Sequence, residues 1–249
     1  MNKIILFMLA TFCYVLLPGC KKNDHPHLSS ACKLLKVETK EMDYYFTFEY
    51  NARNQLISRK AAYMTRTAPD YKFIYDRAGR LAQYITNADP DTIGGSFWQW
   101  HYLYYDNLGR IVKDTFYADG TIGPDGPVFP EGMPPGYTMG IENYAYDGNN
   151  RMISRSGLFN DSYAYNAQGN LETNVYGDSL QYDNKVNFNR TDPVLQFINR
   201  DYSRNNPIGA RSYNQYGLPL EYQGIMHSNY SLVIDYAGFR NPVFTYKCR

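Results

Sequence analysis

The sequence predicts an all-β protein. It is read as an antiparallel meander of hairpins forming a large curved open sheet of about a dozen or more strands, with one short helix near 193–203. Three observations carry this. A tyrosine-centred hairpin motif recurs seven times along the chain. Tyrosine supplies 26 of the 249 residues while only 7 of the 24 acids are Glu, and tyrosine suits pleated, half-buried surfaces whereas glutamate is a common helix builder. Finally, a single stretch carries helical signals.

The chain opens with one charge, Lys3, and an apolar run from Ile4 to Leu17. That run is short for a bilayer span and fits a cleaved export signal. It ends in Leu17-Pro18-Gly19-Cys20, which resembles the lipobox of bacterial lipoproteins. The resemblance implies cleavage before Cys20 and acylation of its thiol. Lys21, rather than Asp, follows the cysteine, which by the same resemblance directs the protein to the outer membrane. Three segments are therefore expected: a signal peptide at 1–19, a lipidated cysteine and polar tether at 20–30, and a β domain at 31–249. Fully extended, the tether spans about 35 Å.

Removing Lys3 with the signal leaves 24 basic and 24 acidic side chains. With no basic excess, nucleic acid and anionic membrane faces are excluded as main partners. Membrane attachment is expected through the lipid alone, and the partner classes that remain are a glycan, a peptide or a protein. Cys32 and Cys248 are the cysteines left beyond Cys20 and the signal. In an oxidising compartment they either form a disulfide or stay as two separate buried thiols.

The motif runs aromatic or apolar, any residue, Tyr, Asp or Asn, two variable residues, Gly or Asn, a polar residue, an apolar one. Five copies are complete. They centre on Tyr50-Asn51 with Asn54, Tyr75-Asp76 with Gly79, Tyr105-Asp106 with Gly109, Tyr146-Asp147 with Asn150, and Tyr165-Asn166 with Gly169. Looser copies stand at Tyr182-Asp183 and Tyr213-Asn214. The Asp or Asn side chain is expected to accept from backbone amides two or three residues on. The Gly or Asn supplies the positive φ of a type I turn with a G1 bulge. Two residues before each key tyrosine, a second large side chain (Phe48, Phe73, Tyr144, Tyr163) shares its face of the strand.

This motif resembles the YD repeat, also called the RHS repeat, of bacterial wall-associated and toxin-shell proteins. From lipobox to C-terminus the chain is similar to small YD-repeat lipoproteins of Bacteroidota, including Tyr182 to Asn187, Arg204-Asn205-Asn206-Pro207 and Tyr213 to Pro219. Phe188 departs from that pattern, where a Pro often follows the Asn. The resemblance implies architecture and no established reaction.

Between the copies, 118–140 holds eleven Gly and Pro among 23 residues and is expected to be a long excursion without regular structure. Asp192-Pro193 reads as a helix N-cap and first position, with Val194, Leu195, Phe197 and Ile198 packing on the sheet.

For chemistry, the recurrent Asp76, Asp106, Asp147 and Asp183 are read as turn residues in preference to catalytic or calcium-binding ones. Arg80, Arg110 and Arg151 follow three of them by four residues and are read as ion pairs across the turn or as guanidinium groups stacked on a neighbouring tyrosine, in preference to a ligand-binding arginine row. No spacing of His25, His27, His101 or His227 makes a zinc set, no cofactor fingerprint is present, and nothing pairs Glu142, Glu172 or Glu221. Trp98 and Trp100 lie two apart. They are read either as a platform for a sugar ring or as members of the aromatic core. The expected function is a non-catalytic envelope scaffold or binding surface. The alternative is an envelope polysaccharide hydrolase or lyase with carboxylates gathered from several repeats.

Overall fold

The computed structural model describes residues 31–39, 41, 43–87, 93–129, 139–174, 177–224 and 240–249. The signal, Cys20 and the tether lie outside the described residues. In chain order the strands are β1 (Cys32–Thr39), β2 (Tyr44–Tyr50), β3 (Leu56–Ala61), β4 (Asp70–Tyr75), β5 (Leu81–Asn87), β6 (Ser96–Tyr105), β7 (Ile111–Gly123) and β8 (Gly126–Val128). They continue with β9 (Met139–Tyr146), β10 (Met152–Gly157), β11 (Asp161–Ser162) and β12 (Tyr182–Val186). After helix α1 (Pro193–Asn199) come β13 (Asn205–Pro207), β14 (Ala210–Tyr213), β15 (Pro219–Tyr222) and β16 (Pro242–Cys248).

Fourteen of these strands form one open antiparallel sheet in the order β11-β10-β9-β7-β6-β5-β4-β3-β2-β1-β16-β15-β14, with β8 beside β7. Most neighbours are joined by hairpins, as the repeat requires. The last strand does something the repeat does not encode: β16 returns to pair with β1, Cys32 opposite Cys248. Those two cysteines are disulfide-bonded, closing a sequence separation of 216. The bond lies inside the sheet, because β16 gives β1 a second neighbour and leaves β11 and β14 at the edges.

One face of the sheet carries the main core. Phe46, Phe48, Phe73, Tyr144 and Tyr163 are buried on it, together with Val194, Leu195, Phe197 and Ile198 of α1. Asp192 caps α1, its side chain accepting from the Val194 amide, and Pro193 occupies the first turn. The helix stops at Asn199 rather than near 203, since Arg200 turns left-handed (φ 53°) and its amide closes back on Gln196 and Phe197. A smaller core on the opposite face gathers Ile85, Phe97, Trp100 and Ile122.

Two other expectations need correction. Residues 118–123 are not irregular; they extend β7, and a tight turn at Pro124-Asp125 leads into β8, Gly123 opposite Gly126. Proline followed by Asp and Gly is a turn signal in its own right. Gly120 is needed there because a Cβ would stand 2.5 Å from the Phe97 ring. Residues 130–138 of the same stretch lie outside the described residues. The sixth motif, at Tyr182-Asp183, makes no hairpin of the main sheet: β12 pairs with β13 in a separate two-stranded ribbon.

Candidate functional site

The repeats build the site from the turn upward. In each complete copy the Asp or Asn Oδ1 accepts from the amide four residues on, as Asp106 does from Arg110 at 2.9 Å and Asp147 from Arg151 at 2.9 Å. Asn51 and Asn166 do the same at 3.1 and 3.0 Å. At the bulge position Gly79 has φ 80° and Asn150 φ 59°. The free carboxylate oxygen then takes the arginine: Arg80 Nε on Asp76 at 2.8 Å, Arg110 on Asp106 at 2.7 Å, Arg151 on Asp147 at 2.7 Å.

Each guanidinium also lies over the key tyrosine of the next hairpin. Arg80 sits 4.7 Å from the Tyr105 ring centre, Arg110 5.3 Å from Tyr146 and Arg151 4.3 Å from Tyr165. The two sequence readings of these arginines are thus one arrangement. The tyrosine hydroxyl reaches the other way, to a carbonyl of the preceding strand, which for Leu56, Leu81 and Ile111 is the first residue of the previous return strand. Tyr50 donates to Leu34, Tyr75 to Leu56, Tyr105 to Leu81 and Tyr146 to Ile111, at 2.7–3.0 Å. The key tyrosines are therefore half-buried rather than sunk in the core. The fully buried position is the one two residues earlier, at Phe48 and Phe73. The ladder ends at Tyr165, whose hydroxyl makes no such bond.

Where α1 crosses this row it leaves a cleft of about 600 Å³. Its floor includes Tyr75, Tyr105 and Tyr146, and its cations are Lys33, Arg53, Arg80, Arg110 and Arg249. Asp192 is the one carboxylate on the wall. Burial pushes that carboxyl upward, against the opposing pull of Lys33, whose Nζ lies 3.1 Å away. Burial likewise raises the tyrosines, Tyr105 and Tyr146 to about 12. The floor is thus neutral and aromatic across the physiological range, under a rim on which Lys33, Arg80 and Arg110 are ion-paired and Arg53 and Arg249 are not. Arg80 and Arg110 each spend two N–H groups on their Asp, so donors remain for a ligand.

The tryptophans are elsewhere. Trp100 is buried in the opposite-face core, 6 % exposed, with its Nε1 donating to Gln83. Trp98 is half-exposed beneath the Arg66 guanidinium, at 5.6 Å. The strand alternation breaks between them, so that Phe97 and Trp100, three apart, meet edge to face at 5.5 Å. They do not make a two-ring platform.

Sequence reasoning took His101 and Glu142 as isolated side chains and passed over Asp114, which joins them. His101 Nδ1 lies 2.7 Å from Asp114 Oδ2, and Asp114 stands opposite Glu142 across β7 and β9. A signal was present: counting back by twos from Tyr105, Phe116 and Tyr146 puts His101, Asp114 and Glu142 on core-facing positions. Asp114 Oδ1 and Glu142 Oε2 are buried without a hydrogen-bond partner, at a cost of about 1–3 kcal/mol each. Among the described residues, no group of three His, Cys, Asp or Glu is placed to hold a metal ion, and no helix is long and apolar enough to cross a membrane.

No family model and no curated protein matches the chain. A solved structure that resembles it is a chain of the Tc holotoxin pore of Photorhabdus luminescens, at 16 % identity and a TM-score of 0.26. The match covers 73 % of this chain and 10 % of the toxin chain.

Proposed function

We propose that this protein is a non-catalytic outer-membrane lipoprotein of the YD-repeat kind that holds an extended acidic glycan in the cleft beside α1. The observation that carries the reading is the row of Tyr75, Tyr105 and Tyr146 lining one cleft, two of them beneath stacked guanidinium groups. Successive key tyrosines are two strands apart, a step of about 9.5 Å. That step is close to a disaccharide unit of an extended polysaccharide. A repeating polymer would meet the same aromatic face and N–H donors at each step. The chain's zero mature charge does not oppose this: Lys33, Arg80 and Arg110 are balanced by Asp192, Asp76 and Asp106, while Arg53 and Arg249 line the cleft with no ion pair among the described residues.

Affinity electrophoresis through gels containing polyuronate or neutral polysaccharide tests it. Wild type is expected to be retarded by the polyuronate, less so at high salt. Arg53→Glu on the rim and Gln196→Trp in the cleft should each reduce the retardation while melting at the wild-type temperature. Equal retardation of all three proteins would sink the proposal. The lipoprotein half rests on Leu17 to Cys20 and is tested separately. Cys20→Ala should abolish acyl labelling and leave a soluble or unprocessed chain, and normal membrane fractionation of that variant would overturn it.

A further inference from the structure

The cleft is uneven along its length, and its unpaired charge sits at one end. Over Tyr105 and Tyr146 the guanidinium groups of Arg80 and Arg110 are committed to Asp76 and Asp106. Lys33 is committed to Asp192. Arg53 and Arg249 carry no ion pair among the described residues. Both stand at the turn from Asn51 to Gln55, where the Arg249 guanidinium donates to Asn54 Oδ1 at 3.1 Å.

At this end a smaller pocket of about 260 Å³ adjoins the cleft, sharing Lys33, Asn54 and Arg249 with it. Tyr50 lines it, one step before Tyr75 in the row of key tyrosines, and Lys33 Nζ lies 5.2 Å from its ring centre. The pattern of cation over tyrosine thus returns here with a lysine. No Asp or Glu among the described residues lines this pocket, whereas Lys247 does. Lys247 stands directly opposite Lys33 across β1 and β16, a like-charge placement that costs stability. Asp192 compensates Lys33, but Lys247 is exposed without an ion pair among the described residues.

Arg249 is exposed yet held in place. Its amide donates to the Ala31 carbonyl at 2.9 Å, and its main-chain carboxyl group accepts from the Tyr216 hydroxyl. Asn54 holds the guanidinium. A surface arginine loses rotamer freedom when it takes a ligand, and this one has given up much of that freedom beforehand. One N–H is spent on Asn54, so donors remain for an acceptor.

These groups decide where along a ligand its acid belongs. Over Tyr105 and Tyr146 a carboxylate would share its arginine with a resident Asp. Beside Tyr50 it would meet cations that no acidic side chain opposes. Resting on the reading of the cleft as a glycan site, we propose that this pocket is a subsite for one acidic sugar at the end of the bound segment. Its carboxylate takes Arg249 and Lys247. The units over Tyr75, Tyr105 and Tyr146 are held by stacking and hydroxyl contacts and need no charge. The cleft therefore reads its ligand in one direction.

The test uses neutral oligosaccharides long enough to span the row, titrated calorimetrically against the folded protein. Each is prepared uncharged, with a single carboxylate at the reducing end as an aldonate, or with one at the opposite end as a uronate. For at least one sugar, one acid-ended form should bind about tenfold more tightly than its uncharged parent. Arg249→Gln and Lys247→Gln should each shrink that preference and leave the affinity of the uncharged parent unchanged. Lys60→Gln, which removes an exposed charge outside the cleft and the pocket, should leave the preference intact. Should Arg249→Gln lower the melting temperature, Lys247→Gln decides. Polyuronate retardation of wild type without preference for any acid-ended form sinks the subsite and leaves the cleft reading standing. Absence of both retardation and preference sinks the two together. The subsite is also overturned if the preference survives in both pocket variants, or if Lys60→Gln loses it equally.

Discussion

The Tyr105 hydroxyl donates to the Leu81 carbonyl at 2.7 Å, so the last residue of one hairpin's first strand is bonded to the first residue of its predecessor's second. The same link joins Tyr75 to Leu56 and Tyr146 to Ile111. Sheet hydrogen bonds hold neighbouring strands. These bonds add a second connection between hairpins at the turn end, where a sheet otherwise frays.

Removing one such link should be measurable. Tyr105→Phe keeps the ring under Arg80 and deletes the O–H, so a loss of about 1 kcal/mol is expected. Urea denaturation reads it. Tyr104→Phe, at the exposed neighbouring position, should change nothing, and equal effects at the two positions would show that the bond contributes no stability.

Acid should loosen the turns. The carboxyls of Asp76 and Asp106 are held below the usual range, chiefly by the Arg80 and Arg110 amides and then by the guanidinium groups. Asp147 is partly desolvated, which opposes the shift, yet Arg151 and the turn amides hold it low as well. Lowered folded values mean stability that is present above the unfolded value near 4 and is lost as pH falls through the folded ones. Replacing all three by Asn should flatten that loss while keeping the Oδ1 acceptor. Asn51 and Asn166 already serve in this way at the same motif position. Urea midpoints at pH 7 and pH 3 for the two proteins provide the comparison.

Alkali should act on the tyrosines. Burial raises Tyr105, Tyr146 and Tyr163 to about 12, whereas the unfolded chain ionises near 10. The folded state therefore binds protons that the unfolded state releases, and stability falls as pH rises from about 10 toward 12. Spectrophotometric titration should show a native tyrosinate step delayed relative to the urea-unfolded protein. Coincident curves would contradict the burial.

Reducing the Cys32–Cys248 bond should destabilise the sheet at the β1–β16 junction. Chain entropy over a separation of 216 sets an upper figure of about 5 kcal/mol. Cys32→Ser with Cys248→Ser should lower the urea midpoint by about the same amount as reductant does on wild type. Reductant should have no further effect on the double variant.

The hairpins were legible because everything that makes them is local: Asp106, Gly109 and Arg110 fall within five residues. Helix α1 was legible for the same reason, through Asp192 and Pro193. The cleft was not, since Tyr75, Tyr105 and Tyr146 become a floor only when a helix more than forty residues downstream lands on them. The β1–β16 pairing was equally hidden, because no motif marks Pro242–Cys248 as the partner of Cys32–Thr39. Trp98 and Trp100 part for a physical reason: strict alternation fails at the irregular stretch facing Asp119, which itself takes a positive φ of 52°.

The position of β1 sets an order of events. The strands from β2 to β7 can zip one after another as the chain emerges, each turn closing over a few residues. β1 gains β2 at once, but its other side stays unpaired until Pro242–Cys248 arrives. For most of synthesis the protein therefore carries an open strand edge at β1, and such an edge templates wrong pairings. The final seven-residue strand closes that edge and the disulfide locks it. A chain cut short by one strand would keep its hairpins and lose the seal.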